Sequence, residues 1–404
     1  MTQINLKLNA EKLTEAIMNS DMDMSVKTMV SAVMNAQMEA ERDEYVNAER
    51  HRYSEDRTSM RNGYYHRALT LPVGTIDLKV PRTRDGQFST DLFDRYQRMD
   101  QALVLTMQEA VINGVSTRKM TKLVESLCGT GVSKSFISNV MARLDPEIKE
   151  FSGKDLHHHT YRYMYVDAMY IKVRENNRVI SKAVYIATGV NENNYREVLG
   201  FKVSAQESEI AWREFFNELR QRGLQQPKLI ISDAHTGLKR AIEAEFLGST
   251  WQRCTVHFLR NIIGVMPKDS TQARTLLKRI FRAETAKHAQ AHREAFEAYV
   301  AGDSRYEMAL KRLDAGYDDA IQFYQEPEAY HCSLRTTNSI ERLNQEVRRR
   351  ERVVRVFPNT ESGTRLIGAT LIDMNEQYQN SARTFLRSPD TQKATKWPET
   401  DSEV

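Results

Sequence analysis

Long apolar runs, a cysteine framework and a strong charge of one sign are all missing from this 404-residue sequence. No stretch approaches the roughly 18 consecutive apolar residues that a membrane helix requires, and Met1 to Leu13 carries no signal-peptide-like apolar core, so neither a span nor export is expected. Three cysteines, Cys128, Cys254 and Cys332, are too few and too scattered for a disulfide scaffold, which fits a reducing compartment. A cytoplasmic protein is the expectation. The 58 basic and 54 acidic residues nearly cancel to a formal charge of +4, so total charge is weak support for a polyanionic partner. Hydrophobic residues make up 40% of the chain, enough for two to three cored domains of about 150 residues each, and this excludes a disordered scaffold.

The placement of charge says more than its sum. Between Arg335 and Arg355 stand seven basic residues against three acidic ones, so this short segment alone matches the surplus of the whole chain. An anionic partner is expected to touch it. Within it, Arg348, Arg349 and Arg350 read either as phosphate contacts or as a solvated helix face.

Asn9 to about His51 lacks both proline and glycine and spaces Val26, Met29, Val30 and Val33 as a helix does. Residues 1–60 are therefore expected to form a helical region, its many methionines serving adaptable packing, including packing between subunits. Residues 61–100 change character. Thr75 to Val80 alternate, Pro72, Gly74 and Pro81 punctuate, and Arg82 and Arg84 flank, which predicts a small basic β-hairpin.

Residues 101–150 are expected to hold a helix-turn-helix. Met120, Leu123, Val124 and Leu127 share one face of a first helix, Gly129 and Gly131 supply a turn, and Ser133 can cap a second helix that buries Phe136, Ile137, Val140, Met141 and Leu144. Ser133, Lys134, Ser135, Ser138, Asn139 and Arg143 remain outward, as on a helix that reads a DNA major groove. An ordinary helical pair would look the same.

From 151 to 257 the pattern is α/β. Tyr161 to Val173 and Val179 to Val190 read as an antiparallel strand pair, with a third strand over Arg196 to Val203. A helix follows over Glu209 to Gly223, then a short buried strand, Leu229 to Ser232. Three meandering strands, a crossover helix and a parallel strand give a ribonuclease-H-like order. Residues 258–335 show only helical spacing. Residues 336–386 should supply the final helices, and 387–404 a disordered tail.

Three carboxylates stand out against this frame. Asp167 sits mid-strand in an apolar and aromatic run, where a carboxylate is costly unless it meets a cation. Asp233 follows a second strand at its carboxyl end, where α/β sheets gather functional groups. Glu341 lies on a helix opened by Thr336, Thr337 and Asn338. Each alone reads as structural. Together they are the oxygen set that two Mg²⁺ ions about 3.5–4 Å apart would need for phosphodiester chemistry. Cys254 and His257, three apart, could begin a zinc site, but no second such pair accompanies them, and a packing role beside the carboxylates is the simpler reading. His157, His158 and His159 read as linker.

The run from Asp233 through Gly237 to Cys254 and His257, then Thr336 to Asn344 and Arg348 to Arg350, resembles the mutator-type transposases of bacterial insertion sequences. Arg61 to Tyr64, Val80 to Arg82 and the turn from Gly129 to Ser135 are similar too, so the resemblance covers roughly residues 61–386. It implies a DDE catalytic triad at Asp167, Asp233 and Glu341, with Gly237, Cys254, His257, Asn338 and Asn344 as signature positions beside it. It also implies a ribonuclease-H-like core interrupted by an all-helical insertion, which the long interval from Asp233 to Glu341 accommodates. The expected activity is DNA strand cleavage and transfer with two Mg²⁺, Mn²⁺ being able to substitute. The expected partners are terminal inverted repeats, target DNA and a second copy of the chain, with nucleoid association when DNA is bound. Two rivals stay open at this point: a non-catalytic helix-turn-helix regulator, and a ribonuclease H or junction nuclease.

Overall fold

The computed structural model describes residues 22–48, 56–71, 74–92, 99–128 and 131–387. The start of the expected N-terminal helix, Gly129 of the expected turn and nearly all of the expected tail lie outside them. The chain divides into two compact units, Met1–Arg143 and Leu144–Val404.

In the first unit, helix α1 (Met22–Val46) precedes a hairpin of β1 (Arg61–Leu71) and β2 (Gly74–Thr83). The alternation over Thr75 to Val80 buries Ile76, Leu78 and Val80, which pack with Leu69 against Met38 and the flanking Val30 and Met34 of α1. Val26, Met29 and Val33, on another side of the same helix, stay exposed. Three further helices follow: α2 (Gln101–Ile112), α3 (Thr117–Cys128) and α4 (Lys134–Ala142). Asp100 caps α2 by accepting from the Ala102 and Leu103 amides. Ser133 caps α4 by accepting from the Phe136 amide at 3.0 Å, as its residue type predicts. The buried side of α3 is Met120, Val124 and Cys128, whereas Leu123 and Leu127 are exposed, a correction to the expected face. The Gln108 side chain, itself buried, ties α2 to the Val140 carbonyl of α4 at 2.9 Å.

The second unit opens with α5 (Asp145–Gly153), which the sequence pattern groups with the preceding helices. Arg365 makes a two-pronged bond to Asp145 and draws this helix onto the far end of the chain. The sheet is ordered β5-β4-β3-β6-β7, formed by β3 (Tyr163–Glu175), β4 (Arg178–Val190), β5 (Arg196–Ser204), β6 (Leu229–Ser232) and β7 (Thr250–Arg253). The first three are antiparallel neighbours, while β6 runs parallel to β3 and β7 parallel to β6. The meander, crossover and parallel strand expected from sequence are all present. Strand β7 is an addition.

Helices α6 (Glu209–Gln221) and α7 (Thr236–Glu245) cover one face of the sheet. Trp212, Phe215, Phe216 and Leu219 of the first meet Leu238, Ala241 and Ile242 of the second over Met164, Val166 and Tyr185. Burying a residue as large as Phe contributes about 1.5–3 kcal/mol, so this aromatic layer is the main anchor of the sheet. Residues 255–334 form helices α8 (Thr255–Ile263), α9 (Thr271–Ile280), α10 (Ala286–Val300), α11 (Glu307–Ala320) and α12 (Glu328–Leu334). They have a core of their own, including Phe258, Leu277, Phe281, Phe296 and Leu313. The chain then returns to the sheet through α13 (Asn338–Val354) and α14 (Thr360–Gln379). Between them Arg355 adopts φ of 65°, reversing the chain so that Phe357 bridges Val173 on β3. Gly368 lets α14 lie close, since a Cβ there would stand 2.6 Å from Ile148.

Candidate active site

The parallel pairing of β3 and β6 matches Tyr165 with Ile231. Asp167 and Asp233 each lie two residues beyond that pair, so the same register carries both carboxylates past the shared end of the short strand. Glu341 arrives from α13, one turn into the helix, and Asn344 follows it on the same side. Asn344 is buried and donates from Nδ2 to Asp167 Oδ2 at 2.7 Å, while its own Oδ1 has no partner among the described residues. The Ala168 amide donates to the other oxygen of Asp167 at 2.9 Å. Thus one helix supplies both a third carboxylate and a clamp on the first.

Burial, followed by the charge of Asp233, pushes the Asp167 carboxyl up to about 7, with Glu341 adding to the rise. The Ala168 amide and His257 act in the opposite sense. A carboxylate destabilised in this way gains most from an added cation.

Cys254 stands at the N-cap position of α8, and its sulfur accepts from the Thr337 amide at 3.4 Å and lies 3.2 Å from the Thr337 hydroxyl oxygen. Thr337 Oγ1 also lies 3.0 Å from Glu341 Oε1, and His257 Nε2 lies 3.5 Å from the same oxygen. Burial raises the Cys254 thiol, but hydrogen bonding from His257 and Thr337 outweighs it and holds the thiol below its usual range. His257 is raised above an ordinary imidazole, chiefly by Cys254 and against burial, with Glu341 and Asp233 contributing. The Thr255 amide and hydroxyl both reach the Arg335 carbonyl at 2.9 Å, pinning this corner to the start of the Glu341 helix. Gly237 has a packing reason: a Cβ there would meet the Glu209 amide at 2.9 Å, so glycine lets the helix after Asp233 approach α6. Asn338 is exposed on the first turn of α13. Thr337, which the sequence reads only as part of the opening of the Glu341 helix, lies between Cys254 and Glu341. Its only signal is its place four residues ahead of Glu341.

Residues 1–381 match the model of the family described as "Transposase, Mutator family". The chain belongs to the Mutator family of transposases. It is 45% identical over 388 residues to the transposase for insertion sequence element IS256 in transposon Tn4001 of Staphylococcus aureus, covering 96% of this chain and 99% of that one. The transposase for insertion sequence element ISRM5 of Rhizobium meliloti is 38% identical over 359 residues, 89% of each chain. That for IS1081 of Mycobacterium tuberculosis is 34% identical over 385 residues, 95% and 92% of the two. Family membership over this length sets aside the rival readings as a regulator or a junction nuclease. Among the described residues of this transposase, no helix is long and apolar enough to cross a membrane.

The residues expected to touch DNA fare unevenly. Lys134, Ser135, Asn139 and Arg143 are exposed on or beside α4, with Ser133 at its cap, and Arg82 and Arg84 are exposed at the end of the hairpin. Arg348 and Arg349 are exposed on α13, Arg349 pairing with Glu346 at 3.0 Å. Arg350 is a correction. It is 3% exposed and bonds Glu346 and Asp373 at 3.0 Å each, so it fastens α13 to α14 and is not free to meet a phosphate.

Proposed function

We propose that this transposase cuts and joins DNA at the ends of an insertion sequence, with Asp167, Asp233 and Glu341 as its catalytic carboxylates. The observation that carries the reading is the shared register of Asp167 and Asp233 on parallel strands, combined with a helix that brings Glu341 and the Asn344 clamp to the same place. The strand order supports a ribonuclease-H-like core, and residues 258–335 the helical insertion. The domain limits expected from sequence are kept as part of this proposal, with the boundary at 150 moved to 143, where the two compact units divide.

The donor set fits hard divalent cations. It consists of carboxylate oxygens, one of them pushed to about 7 by burial and a neighbouring charge. Asp167, Asp233 and Glu341 would hold Mg²⁺, or Mn²⁺ in its place. When bound, two such ions supply activation of the attacking oxygen and stabilisation of the leaving one. The protein's own part is to hold three negative groups together. Asn344 fixes the Asp167 carboxylate, and Thr337 fixes that of Glu341. In cleavage a water oxygen attacks the scissile phosphorus and the 3′-hydroxyl leaves; in joining, that hydroxyl attacks a target phosphorus and a second strand oxygen departs. No covalent protein intermediate is needed.

Terminal inverted repeats would be read by the face of α4 bearing Ser135 and Asn139, with Lys134, Arg143, Arg82 and Arg84 on the backbone. Arg348 and Arg349 would grip phosphates beside the carboxylates. Two ends must be held at once, so we infer a homodimer on DNA, and the exposed Val26, Met29 and Val33 of α1 support contact between copies.

The test is a joining assay with purified protein, pre-cut end duplex and a supercoiled target. Mg²⁺-dependent covalent insertion of the end is expected. Hydrolysis of the duplex without insertion would refute strand transfer.

A further inference from the structure

We propose that Cys254, His257 and Glu341 form a second cation site, specific for a soft divalent ion of the Zn²⁺ class, which shares Glu341 with the hard-ion site. The spacing of Cys254 and His257 offers only two ligands; the fold adds the third. One donor atom from each of the three residues lies within 4.8 Å of the others. A tetrahedral zinc ion with bonds near 2.1 Å to nitrogen and oxygen places those two ligands about 3.4 Å apart, and a sulfur about 3.6 Å from either. His257 Nε2 and Glu341 Oε1 are 3.5 Å apart already. The separations to the sulfur lie within 4.8 Å.

The chemistry of the donors agrees with that geometry. A thiolate and a carboxylate neutralise a doubly charged ion, and imidazole completes a set of the borderline type that zinc prefers and Mg²⁺ does not. The Thr337 amide already points its hydrogen at the sulfur, at 3.4 Å, which suits a thiolate. Hydrogen bonding from His257 and Thr337 holds the thiol below its usual range in spite of burial. Cys254 is fully buried, while the His257 and Glu341 side chains are 27% and 28% exposed. An ion can therefore enter from solvent, take the three ligands and keep a water in the fourth position.

The site has a consequence for the proposed reaction, and that consequence rests on Glu341 being catalytic. An ion bound to Cys254 and His257 withdraws the Glu341 carboxylate from Asp167 and Asp233. Soft-metal occupancy and strand transfer then exclude each other.

Cobalt titration of the full-length protein tests the site without relying on activity. One equivalent of Co²⁺ should give a thiolate-to-cobalt charge-transfer band and tetrahedral ligand-field bands, and Zn²⁺ should erase both. Cys254→Ser should remove the charge-transfer band. His257→Gln keeps the sulfur, and its ring is partly exposed; it should weaken cobalt binding by more than about 100-fold, because even indirect partners of a ligand are worth about 10–100-fold. Absence of the band in the parent protein, its survival in a folded Cys254→Ser chain, or unchanged affinity in His257→Gln would each overturn the proposal. If the bands appear and depend on these residues, yet Zn²⁺ leaves strand transfer intact, the site stands and the catalytic role of Glu341 falls.

Discussion

Asn344 holds Asp167 by a single hydrogen bond of 2.7 Å, and no other side chain bonds that carboxylate among the described residues. Replacing it by alanine should cost about 1–3 kcal/mol of stability, the usual cost of leaving a buried partner unsatisfied. The effect on strand transfer should be larger, about 10–100-fold, because residues that orient a ligand act through its geometry. Thermal unfolding beside a joining assay measures both, and a loss of stability with full activity would remove Asn344 from the site. Arg350 belongs to the opposite class. Its guanidinium is buried between Glu346 and Asp373, which are themselves about a third exposed, so Arg350→Ala should cost about 1.5–3 kcal/mol as charge-assisted bonds disappear. DNA affinity of the folded variant should keep its salt dependence.

At the scale of elements, α13 is a helix of two uses: one face delivers Glu341 and Asn344, and the exposed side presents Arg348 and Arg349. Changing both arginines to alanine should make the slope of log affinity against log salt shallower by roughly 0.9 for each duplex phosphate that is no longer neutralised. The weakening should be nearly independent of sequence, and an unchanged slope would return them to a solvated face. Helix α4 should behave differently. Alanine at Ser135 and Asn139 should weaken binding to the element's own end more than to random duplex, since base edges carry specificity; equal weakening on both would defeat the reading. The same helices mark how far the sequence is legible. Ser133 can be read as a cap because capping is local, and β3 to β6 because aromatic and β-branched runs bounded by turns are local too. Strand β7 cannot, being four residues, Thr-Trp-Gln-Arg, that become a strand only by pairing with β6. The exposed Leu123 and Leu127 look like core for a related reason: their helix buries Met120, Val124 and Cys128 against neighbours that the spacing within it does not reveal.

In the molecule as a whole, the three proposed catalytic carboxylates, drawn from two strands and a distant helix, depend on residues 255–334 folding between them. Phe281, fully buried in the core of that segment, should cost about 3–5 kcal/mol on replacement by alanine, with a fall in thermal midpoint as the readout. The carboxylates themselves are legible as a set, because a charged residue in an apolar strand or at a strand's carboxyl end violates its surroundings. Their mutual support is not. Asn344 and the Asp373 partner of Arg350 act through contacts that no spacing rule exposes; Asn344 and Asp167, for example, are 177 positions apart.

The central claim is that Asp167, Asp233 and Glu341 act as one catalytic unit. The most direct measurement is strand transfer by Asp167→Ala, Asp233→Ala and Glu341→Ala, each assayed beside its binding to end DNA and its thermal midpoint. Each should lose more than about 10³-fold in joining, equivalent to ~4 kcal/mol of transition-state stabilisation, while still folding and still binding ends. Joining retained at the parental rate by any one of the three would contradict the assignment.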